Sequence, residues 1–326
     1  RVKKYAIKYK YSPNPFASSL ASGKAKYVGY VLPIYGNNTS TLNQGNFLQF
    51  IAGMSDELFS ENIQLQILFA KSEKEEIESY KKLILVQKID NIVLQNIKTN
   101  DSRIDLLNKY KVNYVAWGKT RTNNKFSWVD LDNTKAMETI IDYLIKKNHK
   151  HISYINISGN YNFAYERKSS FLKSLNKNKI KFNPNYYTSV KLEEQEKSFE
   201  IIKKMLVKNK KITSIICSTE FSALSAIKAC NNLNLTIGKD ISIVTFDGPL
   251  VRDLSSPPIT AASFPIKELG KHGVSRMSVS FDSWDPKFHD EMRGRKDSWK
   301  RAIQALEYIQ EAGMDPYLNV TVGHYN

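Results

Sequence analysis

The side chains of this 326-residue chain that could do chemistry are few, and their types suit binding better than bond-breaking. Cys217 and Cys230 are the only cysteines, too few and too widely spaced for a disulfide framework or a zinc cluster. No phosphate-cradling glycine run, serine elbow or metal-ligand cluster occurs along the sequence. What remains are polar and aromatic side chains at the ends of short apolar runs. Asp247 closes ISIVTF (241–246), where a strand-end carboxylate can accept hydroxyl hydrogens or cap the next turn. Trp117 closes VNYVAW (112–117), where an indole can stack on the apolar face of a sugar or fill a core. Arg167 opens a helical segment after HISYINISGNYNFAYE, and it is one of only five arginines among residues 1–273.

These positions are set by a regular alternation of strands and helices. YVGYVLPI (27–34), IQLQILFA (63–70), NIVLQ (91–95), VNYVAW, HISYIN (151–156), TSIICS (213–218) and ISIVTF read as strands. In 43–60, Phe47, Phe50, Ile51, Met54 and Leu58 fall on one face of a helix. Further helices are expected at 72–87, 133–148, 164–176, 196–208 and 220–232. Such alternation implies parallel sheets covered by helices on both faces, with ligands at the carboxyl ends of the strands. SWVDLDN (127–133) reads as a restart after the fourth strand, which gives two similar α/β lobes with a cleft suited to a hinge-closing binder.

The net charge of +16 permits a polyanionic partner, although scattered lysines are equally the mark of a Lys-rich proteome. That charge is unevenly shared. Residues 1–273 carry 41 basic against 24 acidic side chains, residues 274–326 carry 7 against 8, and the short tail holds two of the four tryptophans. No apolar run approaches the roughly 18 residues of a membrane span, and no signal-peptide pattern opens the chain. With two cysteines, a reducing cytoplasm is the expected compartment.

RVKKYAIKYK is a basic, weakly amphipathic helix, YSPNP breaks it, and FASSLASGK offers a short helix too small to be stable alone. Tyr11, Pro13, Asn14, Ala17, Leu20 and Ala21 together form Y-x-P-N-x-x-A-x-x-L-A. Further on come RKSSFLKSL (167–175), CSTEFSALSAI (217–227), GKDISIVTFDG (238–248), SSPPIT (255–260) and FPIKELG (264–270). In this order the motifs resemble the lactose/galactose-repressor (LacI/GalR) family of bacterial transcription regulators, from residue 1 to about 272. The resemblance implies an α/β, two-lobed, periplasmic-binding-protein-like domain and a dimeric, DNA-binding repressor that responds to a sugar or nucleobase. It implies a headpiece remnant and hinge over 1–26, lobe 1 over about 27–128 plus 258–272, and lobe 2 over about 129–257.

The hinge residues Leu20, Ala17, Asn14 and Tyr11 would then enter the DNA minor groove, Leu20 as the wedge that kinks it. The family's recognition helix lies ahead of Arg1, so this chain is not expected to read an operator through the major groove. Arg167 takes the role of effector anchor by the resemblance, its guanidinium fork suited to vicinal hydroxyls or a carboxylate. Asp247 would accept sugar hydroxyls, and Thr219 stands where the family places a ligand contact. Glu220 reads equally as a contact and as a helix cap. Phe47 aligns with an aromatic that packs on the ligand, and a core role fits it as well. Asp130 and Asp132 suit support of the lobe crossover, and His149 and His151 a structural turn.

After residue 273 the pattern changes. RMSVSFDS (276–283), HDEMRG (289–294), a helix over 298–313 with Ala302, Leu306, Ile309 and Ala312 on one stripe, and a strand LNVTVGHYN (318–326) follow. This resembles part of a radical S-adenosylmethionine enzyme barrel, a fragment in which Ser278, Ser280, Asp282 and Asn326 would lie near strand ends. The reading is a chimera whose joint falls in KELGKHGVS, with a tail expected to be inactive and without cofactor. A tail-defined enzyme and a transport-type sugar-binding protein are the alternatives. Cys217 and Cys230 cannot supply the C-x-x-x-C-x-x-C thiolates that hold a [4Fe–4S] cluster. Anaerobic reconstitution with iron and sulfide is therefore expected to leave the chain without a stoichiometric cluster, as read by metal analysis and absorbance.

Overall fold

Short apolar runs bounded by turn residues become strands, and the amphipathic runs between them become helices. The computed structural model describes residues 9, 27–35, 45–61, 63–121, 125–246, 255–262, 276–281, 287, 297, 299–301, 303–304, 307 and 315–320. In order these form β1 (Tyr27–Pro33), α1 (Gly45–Ser60), β2 (Gln64–Ala70), α2 (Glu73–Lys81), β3 (Asn91–Leu94), α3 (Ser102–Lys109), β4 (Asn113–Trp117) and β5 (Ser127–Val129). Then come α4 (Asn133–Lys146), β6 (Ile152–Ser158), α5 (Asn162–Lys177), β7 (Tyr187–Lys191), α6 (Ser198–Lys208), β8 (Ser214–Cys217), α7 (Glu220–Asn232), β9 (Ser242–Phe246) and β10 (Thr260–Ala262). The tail contributes β11 (Arg276–Phe281) and β12 (Asp315–Val320).

The first sheet runs β2-β1-β3-β4-β5 and the second runs β7-β6-β8-β9-β10. Written by the order of strands within each sheet, both read second, first, third, fourth, fifth. This is a doubly wound order whose switch point lies between the first and third strands. Every strand pair of the first sheet is parallel. Side chains along β1 alternate between two cores. Tyr30 and Leu32 meet Phe50, Ile51 and Met54 of α1, whereas Val31 joins Tyr80, Leu83, Ile104 and Leu107 under α2 and α3. Ser72 caps α2 by accepting from Glu75 N–H at 3.2 Å, and Glu75 reaches back to Lys71 N–H at 2.8 Å. One π-type turn, Lys82–Val86, continues α2 where the sequence suggests an unbroken helix.

By compactness the chain divides into one unit of Arg1–Ile141, Asn156–Phe182 and Ser189–Lys197, and another of Asp142–Ile155, Asn183–Thr188 and Ser198–Asn326. In the second unit β6, β8, β9 and β10 pair in parallel, with Ile152, Tyr154, Ile155, Ile215, Ile216, Ile243 and Val244 buried. β11 and β12 pair in parallel with each other.

The structure corrects the sequence reading at several points. SWVDLDN does not restart a lobe: Ser127–Val129 adds a fifth, edge strand to the first sheet beside β4. Residues Thr260–Ala262, expected with the first lobe, pair with β9 of the second sheet. The last strand starts at Asp315, ahead of the expected Leu318, because Arg276 is matched with Asp315 in register. Helix α3 and strands β5, β7 and β10 were not expected. The hinge residues Tyr11, Asn14, Ala17 and Leu20 lie outside the described residues, as do Asp282, Asn326 and most of the tail helix. Among the described residues no helix is long and apolar enough to cross a membrane.

Gly118, directly after β4, has φ +114°, and a Cβ there would lie 3.2 Å from the Cβ of Ile97. That conformation is available to glycine and strained for other residues. Gly118→Ala is expected to lower stability by roughly 1–3 kcal/mol, measured as a fall in urea midpoint.

Candidate functional site

In the first unit the site is built around Arg167. Helix α5 turns Asn162, Ala164, Arg167, Ser170, Phe171, Ser174 and Leu175 inward, a stripe that is half polar. A guanidinium 8 % exposed needs fixed partners, and the start of α4 supplies one. Asp132 caps α4 by accepting from Lys135 N–H at 2.8 Å, which places Asn133 as the first helical residue. Asn133 Oδ1 then accepts from Arg167 Nε at 2.8 Å, and Ser170 Oγ donates to Thr134 O at 2.8 Å. The Arg167 guanidinium lies 5.1 Å from the ring centre of Phe163, which itself stacks on Tyr161 at 5.7 Å. Asn133 Nδ2 donates to Leu131 O at 3.1 Å and approaches Asp130 and Glu166, while Lys119 pairs with Glu166 at 3.3 Å. The result is a polar, partly charged floor with an aromatic pair beside it, suited to holding a hydroxylated small molecule.

Trp117 ends β4 as expected, and its partner is Phe50 of α1 at 4.8 Å between ring centres. Phe50 in turn meets Tyr30 edge-on at 6.1 Å. Phe47 lies in α1, with its side chain outside the described residues; among the described residues it is Phe50 that meets Trp117.

A second buried group in the same unit escaped the sequence reading. Arg103, 5 % exposed, bonds Asp101 through Nε and Nη2 at 2.9 and 2.6 Å, and Glu76 through Nη1 at 2.8 Å. Nη2 also donates to Asn96 O at 3.1 Å, Asp101 accepts from Lys98 N–H at 3.0 Å, and the Tyr35 hydroxyl donates to Glu76. Burial alone would raise the Asp101 carboxyl, but the bonds and charge of Arg103 hold it below the usual value. The network pins the segments leaving β1 and β3, which flank the switch point of the first sheet. The scarcity of arginine that singled out Arg167 applies equally to Arg103 and could have found it.

The second unit holds Thr219 and Glu220, so the structure assigns them to a different unit from Arg167. Thr219 is the N-cap of α7, its Oγ1 accepting from Ser222 N–H at 3.1 Å. The cap is therefore Thr219, and Glu220 is the first helical residue, its carboxylate well placed for the helix dipole. Ser218 exchanges a hydrogen bond with the Tyr154 hydroxyl at 2.8 Å. His149 meets Thr213 Oγ1 at 3.0 Å, and His151 meets the Tyr186 hydroxyl at 3.3 Å, fixing the turn between α4 and β6. Asp247 lies outside the described residues. Among the described residues no group of three His, Cys, Asp or Glu side chains could hold a metal ion.

This architecture has known counterparts. The model of the periplasmic binding protein-like domain matches residues 141–287. The HTH-type transcriptional regulator AglR of Rhizobium meliloti (strain 1021) is 26 % identical over 271 residues, covering 82 % of this chain and 75 % of the relative. The body of the chain is thus similar in sequence to HTH-type transcriptional regulators and carries a periplasmic binding protein-like domain. A LacI-family regulatory protein from Chloroflexus aggregans shares the fold with a TM-score of 0.63 at 21 % identity, over 90 % of this chain and 95 % of that one. The transcriptional regulator CelR, solved with cellobiose, does so with a TM-score of 0.66 at 16 % identity, over 98 % and 86 %. The radical SAM superfamily model matches residues 253–326, overlapping the binding-protein match. Strand pairing divides the overlap, because β10 pairs with β9 of the second sheet and β11 pairs with β12.

Near Arg167, burial pushes the Asp130 carboxyl up to about 6; the bond from Leu131 N–H opposes this, and Glu166 adds to it. An aspartate raised in the folded chain stabilises most below about pH 4 and loses that share as pH rises through about 6. Asp130→Asn removes this loss. Its stability advantage over the parent, read from urea midpoints, is expected to grow from near zero at pH 4 to on the order of 2 kcal/mol at pH 7.

Proposed function

We propose that this chain is an effector-responsive transcription regulator of repressor type, with a sugar or similar small molecule bound at Arg167. The observation that carries the reading is the buried Arg167, braced on Nε by Asn133 and lying over Phe163, within a body homologous to such regulators. Phe50 and Trp117 supply an aromatic wall of the kind that meets the apolar face of a sugar. In this proposal residues 1–26 are a headpiece remnant and hinge, 27–272 the effector-binding body, and 273–326 a foreign tail. Leu20, Ala17, Asn14 and Tyr11 meet the DNA minor groove, and Asp247, Thr219 and Glu220 face the effector. The regulator acts as a homodimer in the cytoplasm, and effector binding shifts it between DNA-bound and free states by differential affinity.

The tail's match to the radical SAM superfamily favours an enzyme as the second reading. The residues present do not fit that cofactor, since Cys217 and Cys230 are both buried and no C-x-x-x-C-x-x-C run exists in the sequence. No step through a cluster is therefore assigned.

Thermal-shift measurement with cellobiose, D-galactose, raffinose and hypoxanthine tests the regulator reading. A binding effector at a hundredfold its Kd is expected to raise Tm by about 5–10 °C. Arg167→Ala is expected to abolish that rise, and a parent chain that shifts with none of the probes counts against the reading.

A further inference from the structure

Asn162, the first residue of α5, is 2 % exposed, and its carboxamide oxygen has no hydrogen-bond donor. The orientation of the amide follows from its nitrogen, which donates to Glu166 Oε1 at 3.2 Å; a flipped amide would set oxygen against oxygen. The main chain of Asn162 is occupied too, its N–H donating to Ile97 O at 3.0 Å. Beside it Thr99 N–H donates to Asn160 O at 2.6 Å, and Lys98 and Tyr161 form an antiparallel bridge. Residues 97–99 are thus bonded along residues 160–162, and the carboxamide oxygen of Asn162 is itself buried.

This orphan acceptor belongs to the Arg167 floor. Glu166, which takes the Asn162 amide nitrogen, also pairs with Lys119 at 3.3 Å and approaches Asn133, the residue that holds Arg167. A buried acceptor left without a donor costs free energy, and native structures rarely keep one unless something else supplies the hydrogen. A carboxylate or phosphate cannot supply it, since each would bring acceptors against Asn162 beside the Glu166 carboxylate. A neutral hydroxyl can, because it donates one hydrogen and adds no charge.

We propose that Asn162 is a specificity-determining residue whose Oδ1 accepts one hydroxyl hydrogen of a neutral polyhydroxylated effector. The inference rests on the effector-binding reading above and narrows its ligand class. A site with such an acceptor discriminates against the analogue that lacks the matching hydroxyl.

Titration calorimetry on the full chain with D-glucose, D-galactose and cellobiose, followed by monodeoxy analogues of the hexose that binds, tests it. Asn162→Ala is expected to weaken binding about tenfold. One deoxy analogue, weakened for the parent, should lose nothing further in the variant, while Asn176→Ala, exposed on the same helix, leaves affinity unchanged. If Asn162→Ala does not fold, Asn162→Ser replaces it with the same expectation. Sugar binding that stays within twofold in the variant, or weakens without losing the discrimination, overturns the proposal and spares the effector reading. Absence of binding for all three sugars overturns the proposal, and the effector reading falls with it only where raffinose and hypoxanthine also give no thermal shift.

Discussion

Parallel pairing brings the carboxyl ends of all its strands to one edge of a sheet, and it obliges the chain to return across a face each time. Both five-stranded sheets have the same strand order, with parallel pairing throughout the first and across β6, β8, β9 and β10 of the second. The segments that leave β1, β3 and β4 therefore share an edge in the first sheet, and those that leave β8 and β9 share one in the second. The polar and aromatic residues at issue sit in or beside such segments because the topology leaves them nowhere else to converge. The sheet interiors are filled mainly by apolar residues such as Ile92, Leu94, Ile215 and Ile216, with Ser153, Asn156, Ser214 and Thr245 buried among the strands of the second sheet.

Two buried guanidinium groups show how that edge is stiffened. Arg103 is locked by two carboxylates and a carbonyl, an arrangement in which deleting one partner costs about 3–5 kcal/mol because a charge is then stranded. Arg167 rests on the neutral amide of Asn133 with an aromatic ring beneath it. The first arrangement suits a fixed strut. The second holds the planar group by its Nε edge and by its face, which orients the fork without a carboxylate at that nitrogen. Between the two runs a chain of bonds through Lys98, the 97–99 segment, Asn162, Glu166 and Asn133.

The buried strands were legible in the sequence because β-branched and aromatic runs in a parallel core need no partner to be recognised. The missed strands lack that signal: Ser127–Val129 is exposed throughout, Thr188 and Ser189 interrupt β7, and β10 has three residues. Helix α3 is only eight residues long and is organised by Arg103 and Asp101, whose burial depends on Glu76 from a distant segment. Within the site, Arg167 stood out by rarity, whereas Asn133 and Asn162 did not, since asparagine is abundant here. Their roles arise from contacts 34 and 65 residues away, to Arg167 and Ile97 respectively, which no local pattern encodes.

The change of strand partner between β10 and β11 has a further consequence. Thr260–Ala262 completes its ladder against β9, and Arg276–Phe281 completes its own against β12. Both five-stranded ladders are complete by Ala262, so a chain that stops there keeps every strand of the two sheets and gives up only the β11–β12 pair.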